Sequence, residues 1–166
     1  MHIEDFAQVF GLFPEKKYQA ASYRNIAEVI WSEVGEEGII EFIRRFIFNV
    51  LIGNGDMHLK NWSLIYPDKK NAALAPAYDF VSTIPYLPKD QLALTFVDSK
   101  AFSSISYDQL KRFATKSGLS ETLVLDTTRD TILAFKKLWH SIHDFPVDGE
   151  IVNVINKHLE SIPIYH

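Results

Sequence analysis

Residues 42–63 read FIRRFIFNVLIGNGDMHLKNWS, an apolar segment that runs directly into a cluster of polar side chains. In the apolar part, Ile43, Phe46 and Val50 recur at spacings of three and four, the period of a helix with one buried face. Other apolar side chains widen this face, and a helix so apolar is mostly buried. The sequence therefore predicts a buried helix over residues 36–52 that leads straight into the polar cluster.

The polar cluster places Asp56 and Asn61 five positions apart. This D-x-x-x-x-N spacing is found in the catalytic loop of protein kinases, where the acid accepts the substrate hydroxyl proton and the amide binds Mg²⁺. A short anionic side chain suits the first task. A neutral amide oxygen suits the second, because it binds a hard cation without repelling the phosphates. The spacing favours phosphoryl transfer from ATP, with Asp56 as catalytic base and Asn61 as a metal ligand.

Three further side chains are candidates for the same site. Asp79 follows the cluster at the place where kinases carry a second, charged metal ligand. Phe80 comes next, as in the kinase D-F-G motif, but Val81 stands where that motif has glycine. Lys60 could neutralise phosphate charge in catalysis and nucleotide binding. His58 could orient Asp56 or serve as a packed structural residue.

Other interpretations of these residues stay open. Asp56, His58 and Asp79 could bind zinc or iron in a metal-dependent hydrolase, although zinc sites usually recruit more than one histidine locally. Residues 53–56 could be a simple turn whose polar side chains cap the helix end. Ser82 could form a local hydrogen bond with Asp79. None of the nearby hydroxyl residues has the partner histidine that a nucleophile needs.

Composition limits the class of protein. The 166 residues suffice for one domain with a real core, and 47% hydrophobic with 23% charged residues is ordinary for a globular protein. A net charge of −4 argues against direct nucleic-acid binding. Cysteine is absent, the N-terminal segment does not resemble a signal peptide, and the longest apolar segment is interrupted by Arg44 and Arg45. We expect a cytoplasmic protein that does not enter the membrane.

Phosphate-binding loops rich in glycine are absent from the sequence. The seven glycines form neither a P-loop nor a G-x-G-x-x-G motif.

The remaining patterns predict a mainly α fold with a small β element. Helices are expected at 3–12, 23–34, 36–52, 107–116, 120–143 and 149–161. Strands are expected at 62–67 and 73–80, paired across a turn at 68–71, with a further short strand at 92–96. Gly53 suits the position just after the buried helix, and Ser120 and Asp148 suit the N-caps of the last two helices.

Two stretches resemble the C-terminal part of the HipA-like serine/threonine kinases, the toxins of toxin–antitoxin systems. They are NVLIGNGDMHLKNWSLIY at 49–66 and APAYDFVSTIPYL at 75–87. Residues 2–18 are similar to the H-x-E-D-x-x-Q segment that precedes this region in the family. The family patterns G-N-x-D-x-H-x-K-N-x-S and P-x-Y-D are matched by Gly53, Asn54, Asp56, His58, Lys60, Asn61 and Ser63, and by Pro76, Tyr78 and Asp79.

The resemblance implies a fold like the helical large lobe of protein kinases, formed by residues 1–166 as a single domain. It implies Asp56 as catalytic base and Asn61 with Asp79 as Mg²⁺ ligands. It also implies a protein substrate phosphorylated on serine or threonine, with an aminoacyl-tRNA synthetase as the known type of target. A helix-turn-helix antitoxin is the partner that the resemblance suggests.

The sequence departs from the family in one respect. The ATP-clamping half that precedes this region in HipA-like proteins, with its phosphate-covering loop and strand lysine, has no counterpart in the 166 residues. We therefore expect a catalytic half that depends on a missing or separately encoded N-terminal half. The alternative is a non-catalytic binding module of a toxin–antitoxin complex.

Overall fold

The computed structural model describes residues 2–18 and 21–166, and it confirms a mainly α fold with a small sheet. The elements in chain order are β1 (His2–Asp5), α1 (Phe6–Val9), α2 (Tyr23–Glu33), α3 (Glu36–Ile52), β2 (Ser63–Tyr66), β3 (Ala73–Leu74), α4 (Tyr107–Lys116), α5 (Glu121–Trp139) and α6 (Gly149–Glu160). Helix α3 packs against α2, α5 and α6. The predicted buried helix is thus the centre of the fold.

Helix α3 ends where the sequence predicts. Gly53 takes the left-handed conformation at φ 66°, and its N–H bonds to the carbonyls of Asn49 and Val50 in the last turn. Arg45, which interrupts the apolar segment, pairs with Glu41 at 2.7 Å and donates to the Ala75 carbonyl at 2.7 Å. None of the helices in the described part of the chain is both long and apolar enough to cross a bilayer.

Phe46 lies at the centre of the aromatic core, with 1% of its surface exposed. Its ring centroid is 4.9 Å from that of Tyr23 and 4.6 Å from that of Phe96. We expect Phe46→Ala to lower the free energy of unfolding by about 3–5 kcal/mol, because it removes a large side chain from a packed interior. Urea denaturation measures the loss. The matched control is Phe13→Ala, whose side chain is 75% exposed and should cost less than about 0.5 kcal/mol. Equal losses in the two variants would contradict this placement of the core.

The sheet has three antiparallel strands in the order β1-β2-β3. The predicted hairpin of 62–67 with 73–80 is confirmed for β2 and β3, where Leu64 pairs with Leu74. The Ala75 N–H still donates to the Ser63 carbonyl at 2.8 Å. The predicted strand is wrong for residues 76–80, which do not pair with β2. Pro76 follows and has no N–H to donate, so it cannot extend the ladder.

The helix predicted at 3–12 is wrong at both ends, because α1 spans only Phe6–Val9. Residues 2–5 form β1, which pairs with β2 along its whole length. Asp5 explains the boundary, because its carboxylate accepts from the Gln8 N–H while the Gln8 side chain accepts from the Asp5 N–H. This reciprocal cap requires an extended residue at Asp5 and starts the helix at Phe6.

One further predicted strand is absent from the structure, and one predicted helix ends earlier than expected. Residues 92–96 form no strand, since Phe96 makes a single bridge to Ser99 rather than pairing with a neighbouring strand. The helix predicted at 120–143 ends at Trp139 and is followed by a short 3-10 turn at Ile142–Asp144. Ser120 and the residue before α6, Asp148, do cap their helices as expected.

Candidate functional site

The loop after α3 is held to that helix by two buried asparagines. Asn54 is fully buried and donates from Nδ2 to Oδ1 of Asn49 at 2.8 Å. Its own Oδ1 accepts from the backbone N–H of Asp56 at 2.9 Å. Asn49 in turn donates to the Arg45 carbonyl at 2.8 Å. Because buried amides are costly unless paired, this chain of bonds fixes the direction in which the loop leaves the helix.

Asn61 closes the same loop from its other end. Its Nδ2 donates to the backbone carbonyl of Asp56 at 2.8 Å, which joins the two residues of the D-x-x-x-x-N pair. With the amide nitrogen used in this way, the side-chain oxygen of Asn61 accepts no hydrogen bond from the described residues. An amide oxygen left in this position is a ligand of the kind that hard cations bind.

A third contact holds the loop from the segment that follows Asp79. The Gly55 N–H donates to Oγ1 of Thr83 at 2.8 Å, and that hydroxyl also bonds to the carboxylate of Asp90. A Cβ on Gly55 would lie 2.2 Å from Oδ2 of Asp90, so a larger residue would displace the carboxylate. Sequence reasoning gave neither Thr83 nor Asp90 a role in holding the loop, because nothing in the spacing of these residues links them to Gly55.

Asp56 presents its side chain at the surface of the loop, with 44% of it exposed. The hydroxyl of Tyr18 donates to Oδ1 of Asp56 at 2.5 Å. Burial and this hydrogen bond raise the pKa of Tyr18 to about 12, and the negative charges of Asp56 and Asp90 act in the same direction. At neutral pH the phenol is therefore a protonated donor. Sequence reasoning missed this role of Tyr18, because Tyr18 lies 38 residues before its partner.

His58 lies beneath Asp56 in a buried position. Its Nε2 is 3.9 Å from Oδ1 of Asp56, beyond hydrogen-bonding distance, so the ring touches the carboxylate without orienting it by a hydrogen bond. Burial lowers the pKa of His58 and the charge of Lys17 lowers it further, while Asp56 and Asp79 oppose these effects. The imidazole is thus neutral at pH 7. Its Nδ1 is buried without a partner in the described structure.

Asp79 is held near the loop through its neighbour Tyr78. The Tyr78 hydroxyl donates to the Lys60 carbonyl at 2.8 Å and lies 2.5 Å from Oγ of Ser63. Asp79 itself adopts a left-handed conformation at φ 58°, which is uncommon for a residue with a side chain. Its carboxylate is exposed. The negative charge of Asp79 is close enough to His58 to oppose, in small part, the lowering of the His58 pKa.

Two side chains near the site differ from or add to the sequence predictions. Ser82 does not bond to Asp79 as expected. Its hydroxyl instead donates to the Ile52 carbonyl at 2.6 Å and so holds the last turn of α3. Lys60 is exposed, and its ammonium makes no hydrogen bond or ion pair with the described residues. That ammonium remains available to a charged ligand.

The donor chemistry of the site fits magnesium. Asn61 and Asp79 supply an amide oxygen and a carboxylate, and Mg²⁺ prefers oxygen ligands of these types together with water and phosphate. The hydrolase alternative fits less well. Among residues 2–18 and 21–166, no three His, Cys, Asp or Glu side chains are gathered closely enough to hold a metal ion. Asp56, His58 and Asp79 are therefore not brought together as the three-ligand set that such a hydrolase requires.

The chain is similar in sequence to several bacterial proteins, two of which match it over almost its whole length. "Putative kinase Y4dM" of Sinorhizobium fredii is 47% identical over 167 residues, covering 99% of this chain and 41% of the relative. "Putative kinase Y4mE" of the same organism is 26% identical over 92% of this chain and 39% of its own length. A "putative kinase" of Haemophilus influenzae is 41% identical over 46% of this chain and 23% of the relative. The chain thus spans about two fifths of the length of the two Sinorhizobium proteins.

A solved structure shares the fold. It is the HipA, HipB and operator DNA complex of the Shewanella oneidensis MR-1 toxin–antitoxin system. The match has a TM-score of 0.74 at 22% identity and covers 99% of this chain and 42% of the solved chain. The observed architecture is accordingly that of the helical large lobe of a kinase-like fold. The sequence model of the family described as HipA-like C-terminal domain matches residues 1–139, and the chain belongs to that family.

Proposed function

We propose that this chain is the catalytic half of a HipA-like protein kinase, which transfers a phosphoryl group from Mg-ATP to a serine or threonine of a protein. One observation carries the proposal. The amide nitrogen of Asn61 donates to the Asp56 carbonyl and joins the two residues in one loop, where neither the Asn61 side-chain oxygen nor Oδ2 of Asp56 accepts a hydrogen bond from the described residues. Such an arrangement suits one group for the metal and the other for the attacking hydroxyl.

Asp56 is the proposed general base. Its half-exposed carboxylate can accept a hydrogen bond from an acceptor hydroxyl and take the proton as the phosphorus–oxygen bond forms. His58 is a neutral, buried ring beneath this carboxylate and supports its position by packing. Lys60, whose ammonium is exposed, would bind phosphate oxygens in the ground state and in the transition state.

Asn61 and Asp79 are the proposed magnesium ligands. Magnesium held by Asn61 and Asp79 would supply positive charge to neutralise the charge that develops on the phosphate oxygens. The chain contributes the fixed placement of the two ligands. Asn61 is held by the Asp56 carbonyl, and Asp79 is held by the hydrogen bonds of Tyr78 to Lys60 and Ser63.

The proposed function requires an ATP-clamping half and a protein substrate, and it includes an antitoxin partner. Because the chain spans 41% of its Sinorhizobium relative Y4dM, we propose that the ATP-clamping half lies in the part of the protein that it does not cover. The similar Shewanella HipA was solved with HipB and operator DNA, which supports a DNA-binding antitoxin of the helix-turn-helix type as a partner here. The substrate would be a protein hydroxyl, with an aminoacyl-tRNA synthetase as the first target to test.

The test supplies the rest of the kinase from the relative. The 166-residue chain replaces the matching region of Y4dM, and the fused protein is incubated with a bacterial lysate, Mg²⁺ and ATP labelled at the γ-phosphate. We expect acid-stable label on serine or threonine of a lysate protein, at a rate well above that of the N-terminal portion of Y4dM alone. Phosphoamino-acid analysis and mass spectrometry identify the residue and the target.

The outcome that contradicts the proposal is equally defined. A folded fusion that binds ATP but places no label on serine or threonine is not the proposed kinase. Release of labelled inorganic phosphate alone would favour hydrolysis. Labelling that persists unchanged without the 166-residue chain would assign the activity to the other half.

A further inference from the structure

Tyr18 lies far in sequence from the loop at residues 53–63, yet it contacts two side chains of that loop, Asp56 and His58. Its hydroxyl donates to Oδ1 of Asp56 at 2.5 Å. Its ring meets the His58 ring edge to face, with centroids 5.0 Å apart and planes at 78°. The phenol therefore touches both the proposed base and the neutral ring that lies beneath it.

The backbone around Tyr18 is tied to the same region. The ammonium of Lys100 donates to the Tyr18 carbonyl at 3.3 Å and to the Ala93 carbonyl at 2.8 Å. The preceding carbonyl, that of Lys17, accepts from the Leu59 N–H at 3.5 Å. Because backbone and ring are both held, the hydroxyl meets Asp56 from a fixed direction.

The contact divides the two oxygens of Asp56 between different tasks. Oδ1 accepts from Tyr18 and is also the oxygen nearest to His58, at 3.9 Å. Oδ2 accepts no hydrogen bond from the described residues. A carboxylate with one oxygen bound and the other unbound cannot rotate without losing the bond, so the unbound oxygen is kept in a constant place.

We propose that Tyr18 is a positioning residue for phosphoryl transfer, whose hydroxyl holds Asp56 through Oδ1 so that Oδ2 receives the acceptor hydroxyl. This inference rests on the proposed function, since it needs Asp56 to act as the base. A phenol is protonated at neutral pH, and the raised pKa of Tyr18 extends the range over which it can donate. Tyr18 makes the hydrogen bond that an acceptor hydroxyl would make, so phosphorylation of Tyr18 itself is the rival outcome.

The first part of the test measures the contact in the 166-residue chain without any activity. Difluorotyrosine is placed at position 18, where its fluorines lower the pKa of the phenol into a range the folded protein tolerates and report the titration by ¹⁹F NMR. Charged groups around this phenol are Asp56, Asp90 and the Lys17 ammonium, which lies 5.0 Å from the ring centroid. Asp56→Asn should lower the pKa of the phenol because the negative charge that receives its hydrogen bond is removed, whereas Asp108→Asn on α4 should leave it unchanged. An unmoved titration in Asp56→Asn would overturn the inference.

The second part measures transfer by the fused protein. Tyr18→Phe should lower kcat about ten- to hundredfold, the scale on which a misplaced catalytic group loses rate. The KM for ATP and the thermal midpoint should stay at their wild-type values, because the phenol is assigned no part in nucleotide binding. Tyr107→Phe is the matched control, since the Tyr107 hydroxyl makes no hydrogen bond with the described residues and its ring contact with Arg129 is preserved. This control should transfer at the wild-type rate.

The outcomes distinguish a failure of the positioning role of Tyr18 from a failure of the proposed kinase activity. A wild-type fusion without transfer contradicts the proposed kinase, whatever the fluorine titration shows. An active fusion in which Tyr18→Phe keeps its kcat overturns the positioning role alone. Label found on Tyr18 would also overturn it, because Tyr18 would then be an acceptor rather than a support for the base.

Discussion

Asp56→Asn in the fused protein is expected to lower the rate of protein phosphorylation by about 10²–10⁴-fold, the usual contribution of a general base. The amide keeps the shape of the side chain but cannot take the proton of the attacking hydroxyl. Binding of Mg-ATP should change little, because the metal ligands are assigned to Asn61 and Asp79. A radiolabelled transfer assay and calorimetric titration with a non-hydrolysable nucleotide measure the two quantities.

The control for this variant is Asp108→Asn. Asp108 is exposed in the first turn of α4 and makes no side-chain hydrogen bond or ion pair with the described residues, so its replacement makes the same chemical change at a position outside the loop. It should transfer phosphate at the wild-type rate. If Asp56→Asn also transfers at that rate, Asp56 is not the base and the proposed mechanism fails.

The local parts of the fold could be predicted because their causes are local. The period of apolar residues in α3 and the left-handed Gly53 at its end follow from a few neighbouring positions. The β2–β3 hairpin is likewise joined by a short polar turn. Strand β1 could not be predicted in this way. Its pairing with β2 joins His2 to Tyr66, and such a contact leaves no periodic pattern in a short segment.

The proximity of two candidate residues was predictable because they lie only five positions apart in the sequence. Asp56 and Asn61 share one loop, and the structure joins them by a hydrogen bond. Tyr18 and Asp90 reach that loop from distant segments and could not be inferred from spacing. Their contacts depend on how the segments fold over the end of α3, which is a property of the whole chain.

Asp79→Asn is expected to damage metal binding and rate together. Asp79 stands at φ 58°, and asparagine tolerates this left-handed conformation better than other residues with a Cβ. The variant therefore removes a negative charge while keeping the backbone in place. The Mg²⁺ concentration that gives half of the maximal transfer rate should rise at least about tenfold, which corresponds to about 1.4 kcal/mol of binding free energy.

The magnesium dependence distinguishes this effect from the loss of a base. The proposal assigns to Asp79 a metal that both the ground state and the transition state need, so excess Mg²⁺ should restore part of the rate in Asp79→Asn. Excess Mg²⁺ should restore none of the rate in Asp56→Asn, where the missing group is a proton acceptor. Transfer rates measured across a Mg²⁺ series for the wild type and both variants separate the two roles. A wild-type magnesium response in Asp79→Asn would show that Asp79 is not a ligand and would leave Asn61 without its partner.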